Sequence, residues 1–302
     1  MPGRKMRQIK FIQFQAPGDL LVLTIALRDL QISYPYTFVT KVFSYYPEIF
    51  FRNYYTNTYK FNENEEITEI DLCSIGYIEQ LRKQGLHYSD CFIYIINEKL
   101  NLNIKKTLVK PYIFLTKEQK DPNIFKEKYK IEKPYWLINS GIKNDMPLKG
   151  YPVPYYQVVI NLLKKESKFN CDIIQTGHSS HVNSLLHGVN NFIGKTDNLI
   201  DYFVLMYHAE GSIGAVSLQM HTAAAFDKPC VVIAGGREEP EWEKYKNQQY
   251  LNTIGQLKCC ENTGCWYKTF DQCHNRHNKF SYPECFQLIP PELIVEKVLE
   301  YQ

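Results

Sequence analysis

Five groups of residues in this chain have types and spacings that could do chemistry. The first is Gln15-Ala16-Pro17-Gly18-Asp19. Gly18 allows a tight bend, and Asp19 then falls at a helix start. A carboxylate there either caps the helix or accepts a proton from a substrate hydroxyl. The second is Asn139-Ser140-Gly141-Ile142-Lys143, followed by Lys149-Gly150-Tyr151-Pro152. Lys143 and Lys149 in a glycine-containing loop are either solvated cations or the counter-charge for a departing diphosphate. The third runs from Gly211 to Ala225, with Ser217 ahead of His221 and Ala223-Ala224-Ala225. A serine at a helix start caps the backbone N–H groups or shares them with a phosphate. The alternative is a buried helix with one satisfied histidine.

The fourth group is Gly235-Gly236-Arg237-Glu238-Glu239-Pro240. Two glycines let a loop approach a ligand closely, and Arg237 could then reach a phosphate or a base edge. The fifth is a cysteine cluster over 259–285. Cys260, Cys265, Cys273 and Cys285 have the number and type of a thiolate metal site, with Asp271, His274 and His277 as further donors. Zinc is the first expectation and iron the second; reduced free cysteines are the plain alternative. His178 and His181 could also seed a hydrolytic metal site, but no carboxylate stands at a suitable spacing.

The elements that must position these residues follow from periodicity. Residues 10–15 read as a strand, 16–19 as a turn and 20–30 as a helix ending before Tyr34-Pro35. Strands are expected at 37–42, 67–72 and 90–96, with a helix over 75–84. Residues 99–133 are polar and Lys-rich, and read as the surface end of a first domain and a linker. A second series starts at 135–139, with helices at 155–165, 199–209, 219–226 and 292–301 and strands at 171–175, 211–216 and 230–234. Such alternation is the pattern of parallel α/β layers. Two domains are expected, 1–133 and 134–302, each long enough for its own core.

Bulk properties narrow the function classes. The chain has 302 residues, 44% of them hydrophobic, and a net charge of +3. That balance gives no reason to expect nucleic acid as the partner. The basic start resembles a signal peptide only superficially, since no small-residue cleavage site follows the apolar run at 20–27. No apolar stretch reaches the ~18–20 residues needed to cross a bilayer. A cytoplasmic protein is expected, with at most peripheral contact at the inner membrane. In that compartment metal binding is a more natural use of clustered cysteines than disulfides.

Taken in order, these pieces resemble the ADP-heptose:lipopolysaccharide heptosyltransferase family. The resemblance rests on the strand, Gly18-Asp19 turn and helix reaching Tyr34-Pro35. It rests also on Trp136 to Gly141 with Lys149, and on His221-Thr222-Ala223-Ala224-Ala225 followed by Lys228-Pro229. It departs where the family has Asp and Gly and this chain has Val216 and Leu218. The cysteine-rich end is reminiscent of the autotransporter heptosyltransferases, which carry a cysteine-ligated iron, at a different spacing.

The resemblance implies an α/β protein of GT-B architecture. Two Rossmann-like domains would face each other across a cleft, and the C-terminal helix would return to the first domain. It implies a glycosyltransferase moving a sugar from an ADP- or other NDP-sugar to a hydroxyl of a glycan, lipid-linked or protein acceptor. Asp19 would be the base and Lys149 the cation for the donor phosphates. Gly18, Gly141, Lys143, Ser217, His221, Gly235, Gly236 and Arg237 would bind substrate. No cofactor would be needed for catalysis, and any metal at the cysteines would be structural. A non-catalytic nucleotide-sugar-binding protein and a nucleotide-sugar epimerase are the alternatives on the same fold.

Overall fold

The computed structural model describes residues 6–56, 60–72, 75–144, 146–265, 273 and 282–302. The chain divides into two compact units, Met1–Thr116 and Lys117–Gln302. The division falls before residues 117–133, a stretch the sequence assigns to the first domain.

In the first unit, β1 (Arg7–Ile12) leads into α1 (Pro17–Ser33), then β2 (Phe38–Phe43), β3 (Ile67–Asp71), α2 (Ile75–Arg82) and α3 (Tyr88–Leu100). The three strands are parallel in the order β2-β1-β3. The chain therefore leaves central β1 to one side and returns to the other. The carboxyl end of β1 is thus a point where the strand order reverses, the place at which open α/β sheets bind ligands. Helix α1 is buried from Leu20 through Leu30, which is why its apolar residues surround it instead of forming one stripe.

The run at 90–96 is helical and not the expected strand: it lies inside α3. Asp90 accepts the His87 backbone N–H at 3.0 Å, and His87 Nδ1 accepts that of Ser89 at 3.1 Å, so the helix start is capped from both directions. Cys91, Phe92, Ile95 and Ile96 then fall on one buried face.

Residues 101–116 have no regular structure, yet they are tied to α1. Asp29 accepts from the Thr107 backbone N–H at 3.2 Å and its hydroxyl at 2.5 Å, and Arg28 donates to the Leu108 and Lys110 carbonyls.

The second unit begins with α4 (Lys117–Lys120) and α5 (Pro122–Tyr129). There follow β4 (Tyr135–Asn139), α6 (Val153–Leu163), β5 (Asp172–Gln175), β6 (Asn190–Asn191), α7 (Leu199–His208), β7 (Gly211–Ala215) and α8 (Leu218–Ala225). The chain continues with β8 (Cys230–Gly235), α9 (Pro240–Glu243), β9 (Gln248–Asn252), α10 (Glu284–Gln287) and α11 (Pro291–Leu299). All six strands are parallel, in the order β6-β5-β4-β7-β8-β9. The order reverses between β4 and β7, and their carboxyl ends define the ligand-binding edge of this sheet.

One core cluster joins Trp136, Ile138, Val159, Ile160, Ile213 and Ile233 to Ile294, Val295 and Val298. The terminal helix α11 thus gives its apolar face to α6 and β8 of the second unit.

Candidate active site

Asp19 occupies the first turn of α1, just past the carboxyl end of β1. Pro17 begins the helix, where its missing N–H costs nothing. Ala16 has no side-chain oxygen to cap with, so Asp19 supplies half of the capping box: Oδ2 accepts the Ala16 N–H at 3.0 Å. Gly18 is buried inside the same turn and lies outside the positive-φ glycines. The bend expected of it is made by the extended Ala16 and by Pro17 instead. Gln13 and Gln15 brace the loop, with Gln13 Nε2 donating to Gln15 Oε1 at 2.7 Å and the Tyr88 hydroxyl to the same oxygen at 3.1 Å.

In the second unit, three segments meet at the β4/β7 edge. Lys149 ends a short 3-10 turn, Pro147–Lys149. Its Nζ lies 3.4 Å from the Val216 carbonyl, at the end of β7, and 2.5 Å from Glu238 Oε1, in the loop after β8. Ser217 is the N-cap residue of α8, but its hydroxyl makes no cap bond and is buried without a hydrogen-bond partner among the described residues. Gln219, on the same turn, is 1% exposed and has no partner for either amide atom. Buried polar atoms are ordinarily satisfied. A group of them beside an ammonium and a helix N-terminus suits an anionic, hydroxyl-rich ligand.

Gly141 follows β4, where a Cβ would overlap Asn183 Oδ1; the same oxygen crowds Gly177 after β5. Lys143 is exposed just beyond the Ile142–Val182 bridge. His221 is the fourth residue of α8. Its Nδ1 bonds the Tyr245 hydroxyl at 2.8 Å and its Nε2 lies 3.9 Å from Glu243 Oε2, with all three residues buried. These contacts fasten α8 to the segment around α9.

The loop after β8 turns at Gly235, whose φ is +60°. Gly236 is fixed by close approach, since a Cβ there would stand 2.5 Å from Cys260 Sγ. Arg237 is 2% exposed. With Leu148, Gly236 and Leu257 it lines a pocket whose wall also holds Cys259, Cys265, Cys273 and Cys285. Burial pushes the Cys265 thiol up to about 11 and the Cys285 thiol up to about 12. Cys260, expected among the ligands, is fully buried, with Sγ 3.6 Å from the Thr253 carbonyl and close against Gly236 of the pocket wall. Among the described residues no three His, Cys, Asp or Glu side chains are gathered closely enough to hold a metal ion. Asp271, His274 and His277 lie outside the described residues. His178 and His181 face each other at 5.3 Å, with Ser180 as a partner of His178.

A family model described as glycosyltransferase family 9 (heptosyltransferase) matches residues 66–268. The chain belongs to this family. Family 9 membership makes it a glycosyltransferase that moves a sugar from a nucleotide donor. Solved structures of similar fold include a family 9 glycosyltransferase from Veillonella parvula, with TM-score 0.66 and 12% identity, covering 98% of this chain and 97% of that one. ADP-heptose LPS heptosyltransferase II of E. coli gives TM-score 0.64 and 14% identity, covering 98% of each chain. The iron-containing dodecameric glycosyltransferase TibC of enterotoxigenic E. coli gives 0.70 and 17%, covering 99% of this chain and 77% of that one. A search of curated proteins gives no significant match. These likenesses identify the two-unit fold as GT-B.

Two residues at the family 9 edge carry no signal in the sequence. Glu238 is one of two adjacent glutamates, and nothing in the run tells which one meets Lys149. Gln219 is a polar residue in a helix start, ordinarily a solvated position.

Proposed function

We propose that this enzyme transfers a hexosyl or heptosyl unit from an ADP- or other NDP-sugar to an acceptor hydroxyl, with inversion and without a metal in the chemistry. The second unit binds the donor and the first binds the acceptor, a glycan, lipid-linked or protein. One observation carries the reading. An ammonium, a helix N-terminus and buried hydroxyl and amide groups without partners converge at the β4/β7 switch point.

The step balances simply. The acceptor oxygen bonds to the anomeric carbon while the bond from that carbon to the diphosphate oxygen breaks. The acceptor proton passes to the Asp19 carboxylate, and the electron pair leaves with the diphosphate. Lys149 and the N–H groups at the start of α8 neutralise the charge that develops there. That supply of positive charge is the reason no metal is invoked.

Cys260, Cys265, Cys273 and Cys285, with Cys259 on the wall of the same pocket, are read as a structural site for zinc or iron. Sulfur donors suit both metals, and TibC, a relative in fold, is iron-containing. A bound ion would cross-link the 259–285 segment.

The test compares two variants in transfer and in ADP binding by calorimetry. Asp19→Asn is expected to lower kcat by about 10²–10⁴ with ADP affinity kept. Lys149→Met is expected to weaken ADP about tenfold or more. A folded Asp19→Asn enzyme that transfers at the wild-type rate removes the base assignment. Unchanged ADP affinity in Lys149→Met removes the phosphate assignment.

A further inference from the structure

The Lys149 ammonium touches a carboxylate, although its proposed ligand is an anion. Glu238 Oε1 is 2.5 Å from Nζ, and the residue is 6% exposed. Its loop is held on both sides. The Gly236 carbonyl accepts the Cys265 N–H at 3.1 Å, the Glu238 carbonyl accepts the Tyr250 hydroxyl at 3.3 Å, and Glu239 Oε1 accepts the Gly264 N–H at 2.8 Å. The backbone thus aims the Glu238 side chain at Lys149. The same ammonium lies 3.4 Å from the Val216 carbonyl, one residue before the α8 cap where the partnerless Ser217 hydroxyl and Gln219 amide stand.

We infer that Glu238 is a positioning residue that holds the Lys149 ammonium at the mouth of α8 and competes with the donor's diphosphate for it. The inference rests on the reading of Lys149 as the diphosphate's cation. A carboxylate and a diphosphate drawn to one ammonium repel each other, and burial of the Glu238 carboxylate limits the screening of that repulsion by water. The donor therefore binds at the expense of the Lys149–Glu238 pair. After transfer the same carboxylate reclaims the ammonium and favours departure of the nucleoside diphosphate. Glu238 thereby sets how tightly the product is held.

The experiment is titration of the full-length protein with ADP by calorimetry, with circular dichroism and thermal melts as controls for folding. Glu238→Gln removes the charge and keeps the shape. It is expected to bind ADP about tenfold more tightly than wild type, to lower the donor KM, and to leave kcat no higher because product leaves more slowly. Glu238→Asp keeps the charge and is expected to stay closer to wild type than the glutamine variant. If Glu238 merely supports Lys149 structurally, Glu238→Gln binds ADP more weakly, and that result overturns the inference. Unchanged affinity overturns it as well. Glu238→Ala is the second charge-removing variant, read by the same sign, should the glutamine protein fail to fold. Loss of the Lys149 reading would appear separately, as a Lys149→Met protein with unaltered ADP affinity.

Discussion

Removing the Asp29 carboxylate would leave the Arg28 guanidinium buried without its counter-ion. Arg28 Nε and Nη2 stand 3.1 and 3.0 Å from Asp29 Oδ1, and Asp29 is fully enclosed. The same carboxylate accepts both Thr107 donors. Asp29→Ala is therefore expected to destabilise the protein by about 3–5 kcal/mol, the cost of breaking a buried ion pair from one side. Urea unfolding followed by circular dichroism measures it; a loss below about 1 kcal/mol would mean the pair is dispensable. Asp19 and Ser217 drew notice in the sequence because each stands where a strand gives way to a helix, and Lys149 because it lies in the loop between β4 and α6. Which of two like neighbours faces inward carried no such signal. Cys259 and Cys260 are indistinguishable as letters, yet Cys260 is fully enclosed and Cys259 only partly.

Elements were legible where their pattern exceeded a turn or two. The strands over β4, β5 and β8 and the helices α1, α7, α8 and α11 lie where apolar spacing puts them, whereas β1 starts and ends three residues before the expected 10–15. The α3 region failed because seven apolar or mixed residues fit either period, and the deciding capping box begins with a histidine. Strand β9 was missed because Gln248, Gln249 and Asn252 are polar, though Gln248 is buried and donates to the Met220 carbonyl.

At this scale the α4–α5 pair is fastened to α7 by two titratable residues. Asp201 lies below the ordinary carboxylate range: its burial acts upward, but hydrogen bonds from Lys128 at 2.5 Å and Tyr129 at 2.7 Å outweigh it. His208, stacked on Phe125 at 4.1 Å, is lowered by burial and by Lys228 despite the Gln119 carbonyl at 2.9 Å.

Both folded-state shifts are downward. Each contribution is therefore complete above the unfolded pKa and lost as pH falls through the folded value. Stability should begin to drop below about pH 6.5 through His208, and again below about pH 4 through Asp201. His208→Gln should flatten the first of these in urea titrations between pH 7 and 5. An unaltered slope would assign it to another group.

Over the whole molecule, GT-B type and family could be read from the order of the landmarks. Identity to the solved relatives is only 12–17%. Order survives such divergence because the switch points depend on connectivity and not on side-chain detail. The acceptor and the donor sugar were not legible, since their contacts come from loops whose side chains no periodicity constrains.

The cysteine segment is the feature whose test needs the intact chain. Elemental analysis of the purified protein is expected to find roughly one zinc or iron per molecule, as in other thiolate sites. Cys265→Ser and Cys285→Ser should each lose it and melt at lower temperature. Metal-free protein with unchanged melting in both variants would return these residues to the status of plain buried thiols.

Asn183 reaches between two strand ends at once. Its Nδ2 holds the His178 and His181 carbonyls at 2.8 and 3.0 Å, while its Oδ1 fills the space that side chains at Gly141 and Gly177 would need. A larger residue at either glycine would therefore have to turn the Asn183 amide aside and loosen its hold on the two histidine carbonyls.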